Sequence, residues 1–181
     1  MGSIKVHEFI SLDGVVDAPT WTSEYGFHPR MGEALGRLTD TCDAILLGRT
    51  TFEMFEPAWS GRTVEEDPGA PFFNDTKKYV VSSTLKTTTW RNSTILGPYD
   101  PAAIRRLKKD VSRGIYMSGS ATLVRALLAD ALIDEFHLCM YPLIRGSGPR
   151  LFVDGAPSSK WSLAVSETYD NGVLYLKYVT T

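Results

Sequence analysis

Two short runs bring glycine, hydroxyl and basic side chains together where a chain could hold phosphate. In the first, Ala44-Ile45-Leu46-Leu47 leads straight into Gly48-Arg49-Thr50-Thr51; in the second, Gly114-Ile115-Tyr116-Met117 leads into Ser118-Gly119-Ser120-Ala121-Thr122-Leu123. Each reads as a buried strand ending at a glycine, where the missing Cβ lets a ligand approach the backbone. A helix then opens, and its first N–H groups and positive dipole end attract anions. Arg49 adds a fixed charge beside two hydroxyls, the arrangement of a phosphate clamp. Two such corners suit a dinucleotide, although neither carries the GxGxxG spacing of the common fingerprint. The plainer alternative is that each glycine serves a tight turn or close helix packing.

Other residues are candidates for the substrate side. Asp13 and Gly14 close the first apolar run and are candidates to orient a substrate, with an ordinary turn as the alternative. Glu33 is a candidate acid on the first expected helix, the alternative being a solvated helix surface. Trp21, Phe55 and Trp59 offer flat surfaces on which a heterocycle could stack, or else they pack the interior. Ser82 and Ser83 present hydroxyls at a further strand end. His7, His28 and His137 lack the spacing of a metal site, and no GxSxG elbow occurs, so metal catalysis and nucleophilic hydrolysis have no support.

The elements that must position these groups follow from hydrophobic period and punctuation. Ile4, Val6 and Phe9-Ile10 make a first strand; Met31, Leu35 and Leu38 fall at helical spacing after Pro29; Ala44 to Leu47 form a second strand. The segment from Pro57 to Pro71, rich in proline and glycine, reads as a long surface loop. Strands are expected at Tyr79 to Ser83, Thr94 to Gly97, Ile115 to Ser118 and Ile133 to Tyr141. Helices are expected after the Asp100-Pro101 cap and over Leu123 to Leu128. Leu163 to Tyr169 and Val173 to Val179 flank Asp170-Asn171-Gly172, whose Asn-Gly pair suits a hairpin turn. The sum is an α/β chain, with a mainly parallel sheet flanked by helices and a C-terminal antiparallel hairpin, read as one domain over 1–181. Ligands of such sheets sit outside the carboxyl ends of the strands, where Asp13, Gly48, Ser82 and Gly119 all fall.

The totals narrow the function classes. At 181 residues, 43% hydrophobic and 22% charged, the chain is of ordinary globular composition and can bury roughly 70% of its unfolded surface. A net charge of −2 argues against a nucleic-acid partner, and no apolar run reaches membrane-spanning length. Cys42 and Cys139 form no close pair and no signal-peptide pattern precedes the first strand, so a reducing cytoplasm is expected, with both cysteines as buried small hydrophobes.

With these residues assembled, the chain resembles the RibD C-terminal domain family of the dihydrofolate reductase-like superfamily. The resemblance is carried by Ser11-Leu12-Asp13-Gly14, Leu47 to Glu53, Val80-Val81-Ser82-Ser83, Gly119 to Leu123, Leu132 to Glu135, Pro142 to Gly148, and Leu151-Phe152. It implies a dihydrofolate reductase-like fold, NADPH as cofactor, hydride transfer to a flat nitrogen heterocycle, and a homodimer. Carried over by position, Gly48, Arg49, Thr50 and Thr51 would hold phosphates, Ser82 and Ser83 would lie at the adenosine side, and Gly119, Ser120, Ala121, Thr122 and Leu123 would cover the pyrophosphate. Two departures stand out. Val15-Val16 follows Asp13-Gly14 where the riboflavin-pathway reductase has a basic residue, and Ser118-Gly119-Ser120 stands where dihydrofolate reductase has consecutive glycines. The rival reading is a nucleotide- or small-molecule-binding protein that keeps the fold without catalysis.

Overall fold

Strand and helix alternate along the chain, and the computed structural model describes them over residues 1–16 and 19–181. The elements are β1 (Ser3–Ser11), α1 (Pro29–Thr39), β2 (Ala44–Gly48), α2 (Arg49–Trp59), α3 (Ala70–Asp75), β3 (Lys77–Val81) and β4 (Ser93–Gly97). They continue with α4 (Pro101–Asp110), β5 (Gly114–Met117), α5 (Ala121–Ala129), β6 (Glu135–Tyr141), β7 (Trp161–Thr168) and β8 (Leu174–Thr180). All eight strands join one sheet in the order β4-β3-β2-β5-β1-β6-β8-β7. Pairs from β4 through β6 are parallel, whereas β8 is antiparallel to both β6 and β7. This is the α/β architecture expected, with its C-terminal hairpin.

Parallel strands covered on both sides are apolar throughout, and every residue of β2 and β5 is buried. On one face, Ile104 and Leu107 of α4 and Leu123, Val124 and Leu127 of α5 pack over Val6, Leu46 and Met117. On the other, Met31 and Ala34 of α1 meet Cys139, Tyr141 and Tyr175. Beside them, Phe52 of α2 and Phe73 of α3 cover Ile45, Leu47, Val80 and Tyr116. Burying each large apolar side chain stabilises the fold by about 1.5–3 kcal/mol.

Helix ends show how local chemistry sets the frame. Asp100 accepts the Ala102 N–H at 2.9 Å with Pro101 in the first turn of α4, and His28 Nδ1 accepts the Arg30 N–H at 3.2 Å before α1. Lys78 is fully buried and closes the end of α3. Its Nζ donates to the carbonyls of Phe73, Asn74 and Thr76 at 2.7, 3.2 and 2.9 Å and lies 4.6 Å from the Trp90 ring centre.

One expectation needs correction. The segment 57–71 is not one loop, because α2 runs on through Pro57 to Trp59 and α3 begins at Ala70. Proline is tolerated there because it lies in the last turn, where the carbonyl it fails to satisfy belongs to solvent-exposed Glu53. At the hairpin, Gly172 donates to the Tyr169 carbonyl at 3.0 Å and Tyr169 to the Val173 carbonyl at 3.0 Å. Gly172 takes a φ of 83° while Asn171 keeps an ordinary one. The hairpin turns at Asp170-Asn171-Gly172 as expected, with the positive φ carried by the glycine.

Candidate functional site

An opening in the sheet defines the site. β1 pairs with β5 only as far as Val6↔Met117, yet continues alongside β6 to Ser11↔Tyr141. The second half of β1 therefore has no β5 partner, and the chain leaving Met117 swings through Ser118 and Gly119 into α5. The first corner, at the end of β2, lies against this swing.

The two corners touch. A Cβ on Gly48 would overlap Ser120 Oγ and stand 3.3 Å from Ser120 Cβ, and one on Gly119 would stand 2.5 Å from Thr51 Oγ1. A Cβ at either position would thus meet the opposite corner, the close packing that was the plainer alternative for each, and Gly119 also takes a φ of 59°. The contact sets the N-termini of α2 and α5 side by side. Among the described residues, neither helix has a side-chain cap, in contrast to α1 and α4, so no cap side chain takes up their first N–H groups. The Gly119–Ser120 peptide bond is cis. Arg49 and Thr50 are exposed at the first N-terminus, where Arg49 Nη1 is 4.0 Å from Glu53 Oε1. At the second, Thr122 is exposed and its Oγ1 accepts from Arg125 Nη2 at 3.3 Å. The predicted cofactor residues Gly48 to Thr51 and Gly119 to Leu123 are brought together by this junction.

Ser82 and Ser83 divide. Ser82 is buried, with its Oγ accepting the Thr84 and Leu85 N–H groups at 3.2 and 2.9 Å, so it folds the turn after β3. Ser83 is exposed at the same strand end.

The substrate-side residues mostly serve the framework. Asp13 takes Ser11 Oγ at 2.6 Å and the N–H groups of Arg145 and Gly146 at 3.0 and 2.9 Å, with Arg150 Nη2 3.6 Å away. These donors, Ser11 foremost, hold its carboxyl well below the usual range, so it is a fixed anion tying the end of β1 to the segment after β6 and not a proton carrier. Gly14 has a φ of 82° in the turn behind it, and its carbonyl accepts the Leu151 N–H at 2.8 Å. Glu33 lies on the outer surface of α1, because Met31, Ala34 and Leu38 take the inward positions. Trp21 is buried edge-on against Tyr141 at 5.3 Å. Trp59 stacks on Phe73 at 4.2 Å, and Phe55 meets the same ring at 5.6 Å. These three aromatics pack the interior instead of lining the opening.

The sequence reading missed the residues beneath the opening. On the α1 side of β1, His7 Nδ1 lies 3.0 Å from the Tyr116 hydroxyl, and its Nε2 lies 3.8 Å from Cys139 Sγ. Burial, with a smaller contribution from His137, pulls His7 down to about 3, so it is a neutral imidazole. Half-buried Phe9 sits edge-on to His7 at 4.8 Å, and half-buried Phe72 edge-on to Tyr116 at 5.5 Å. On the α5 side, Glu8 is buried, and its Oε1 accepts the Gly119 N–H at 2.8 Å. A signal was available: Glu8 is a carboxylate in the middle of a strand face otherwise formed by Ile4, Val6 and Ile10, with His7 beside it.

Comparison with known proteins follows this geometry. The model of the RibD C-terminal domain matches residues 3–175. The chain belongs to that family. A relative, the uncharacterized protein YyaP of Bacillus subtilis (strain 168), is 26% identical, with 93% of this chain and 90% of that protein covered. Among solved structures, the "Putative riboflavin biosynthesis protein" of Shewanella sp. PV-4 superposes with a TM-score of 0.80 at 18% identity, covering 99% of both chains. The Thermotoga maritima diaminohydroxyphosphoribosylaminopyrimidine deaminase/5-amino-6-(5-phosphoribosylamino)uracil reductase superposes with a TM-score of 0.69 at 13% identity. That match takes in 99% of this RibD C-terminal domain and 57% of the Thermotoga chain. At these identities the structural matches establish the fold. Among the described residues, no group of His, Cys, Asp and Glu is arranged to hold a metal ion, and no helix is long and apolar enough to cross a membrane.

Proposed function

We propose that this protein is an NADPH-dependent reductase that transfers hydride to a small nitrogen heterocycle, resembling 5-amino-6-(5-phosphoribosylamino)uracil reductase or dihydrofolate reductase in reaction class. The observation that carries the reading is the pair of uncapped helix N-termini locked together by Gly48 and Gly119. Such ends bind anions through free N–H groups and dipole, and two of them side by side match a pyrophosphate. Arg49, exposed and only loosely engaged by Glu53, would take the further phosphate that distinguishes NADPH from NADH. NADPH supplies the hydride, and the chain supplies orientation and electrostatics. Phe9, Phe72 and Tyr116 would present aromatic surface to a flat acceptor, with the neutral His7 and Tyr116 pair as its hydrogen-bonding floor. The proton would come from water or an acidic side chain; Glu33 faces solvent and Asp13 is committed elsewhere. That same shortage of acids favours, as a second reading, a dinucleotide-binding protein without turnover.

A homodimer in the cytoplasm completes the proposal. The outer edge of β7, with Leu163 and Val165 exposed, supports a second copy as partner, and two buried free cysteines suit a reducing compartment. The deciding experiment is titration of the protein with NADPH and NADH, followed by tryptophan-to-nicotinamide energy transfer. Saturable binding that favours NADPH, with Arg49→Ala losing about tenfold for NADPH and little for NADH, is expected. Equal losses for both cofactors refute the Arg49 assignment. Oxidation of NADPH by a member of a pyrimidine and pteridine panel separates the reductase from the binding protein.

A further inference from the structure

Glu8 lies at the middle of β1, on the strand face shared with Ile4, Val6 and Ile10, and is 5% exposed. Its Oε1 spans the gap beyond the last β1–β5 pair to take the Gly119 N–H. Oε2 has no hydrogen bond among the described residues. A carboxylate under two anion-attracting helix ends would oppose the ligand those ends attract. The surroundings resolve this by keeping the proton on, because burial pushes the carboxyl up to about 8 and the Gly119 N–H only partly opposes it.

Among the described residues, the groups around Glu8 offer no cation to hold its carboxylate. On β5, Tyr116 lies on the far face with His7, and its phenol is pushed up by burial and stays un-ionised. From β6 comes Leu138 in register, and His7 on β1 turns to the other face and is neutral. From α5 come Leu123 and Val124, while Arg125 is turned to the Arg150 carbonyl at 2.8 Å. From α2 come Thr51 and, exposed at the surface, Arg49 and Glu53.

We propose that Glu8 is a cofactor-binding residue, its Oε1 fixing the Gly119 N–H and its Oε2 donating a hydrogen bond to the bound nicotinamide dinucleotide. The inference rests on the NADPH reading above and adds to it a binding group with its own pH signature. A protonated Glu8 is acceptor and donor at once. Ionisation removes the donor and puts a negative charge beside the bound phosphates, so affinity falls as pH rises through about 8.

The test is NADPH titration of wild type, Glu8→Gln and Glu8→Leu between about pH 6.5 and 9.5, alongside melting of the ligand-free proteins over about pH 4.5 to 9.5. Wild-type affinity should weaken about tenfold across the binding range. Glu8→Gln, which keeps acceptor and donor at every pH, should stay within about threefold of the wild-type low-pH value, and Glu8→Leu should be about tenfold weaker throughout. Because the folded carboxyl sits above its unfolded value of 4.5, ligand-free wild type should lose stability as pH rises from there through about 8. Glu8→Gln should lack that component. A Glu8→Gln protein that follows wild type in its binding or melting profile overturns this inference and leaves the cofactor reading intact. Wild type that binds no NADPH at any pH overturns both.

Discussion

The junction of the two corners makes the sharpest prediction, in the substitution Gly48→Ala. Gly48 has a φ of −79° and a ψ of 160°, ordinary extended backbone, so alanine meets no conformational penalty there. Its methyl would instead fall on Ser120 Oγ, with Ser120 Cβ at 3.3 Å and Ser120 N at 3.5 Å. Overpacking of this kind costs about 1–3 kcal/mol, which for a chain of 181 residues lowers the melting temperature by about 3–10 °C. The cost resides almost wholly in one oxygen, so a double-mutant cycle isolates it. In a Ser120→Ala background the remaining contact is the 3.3 Å one, and the same Gly48→Ala change should cost less than half as much. Calorimetry at fixed pH gives the four stabilities, and NADPH titration of the same proteins should show weakened binding for Gly48→Ala that Ser120→Ala partly restores. Equal destabilisation with and without the Ser120 hydroxyl would refute the idea that the corners are held by direct contact.

Further expectations concern residues that the fold assigns away from chemistry. Asp13→Asn should speed hydrogen exchange at the Arg145 and Gly146 amides, which lose a charged acceptor; unchanged protection would contradict the tie described above. Since its folded value is depressed, the stability Asp13 contributes is present above the ordinary aspartate value of about 4 and lost as pH falls below it. Lys78→Met should cost about 3 kcal/mol in urea unfolding, because the carbonyls of Phe73, Asn74 and Thr76 lose their shared buried donor. A change within about 0.5 kcal/mol would mean that water replaces the ammonium. Glu33→Gln should leave NADPH affinity and any turnover unchanged, and a tenfold fall in kcat would show that α1 presents another face to the substrate.

Much of the frame was legible in the chain itself because the signals are local. The apolar run of β2 ending at Gly48, the Asp100-Pro101 cap and the helical spacing of Met31, Leu35 and Leu38 each depend on neighbours a few residues away. The C-terminal hairpin was legible for the same reason. The loop assigned to 57–71 failed because proline was read as a breaker irrespective of its place in the helix. The substrate side failed differently. Asp13, Trp21, Phe55 and Trp59 have the right chemistry for a site, and only their distant partners, the 145–150 segment, Tyr141 and Phe73, show where that chemistry is spent.

The sequence alone therefore determined the order and type of the elements other than α3, the two glycine-hydroxyl corners and the family, because each is written in contiguous residues whose period and punctuation act over one or two turns. Tertiary structure alone decided that Gly48 faces Ser120 and that Gly119 faces Thr51. It also decided that β5 stops short of β1, and that Glu8 and His7, adjacent in the chain, look onto opposite sides of the opening this leaves. Contacts across 68 to 111 residues have no period to betray them; they exist only once a parallel sheet has laid β1, β2 and β5 side by side, and the site is made of such contacts.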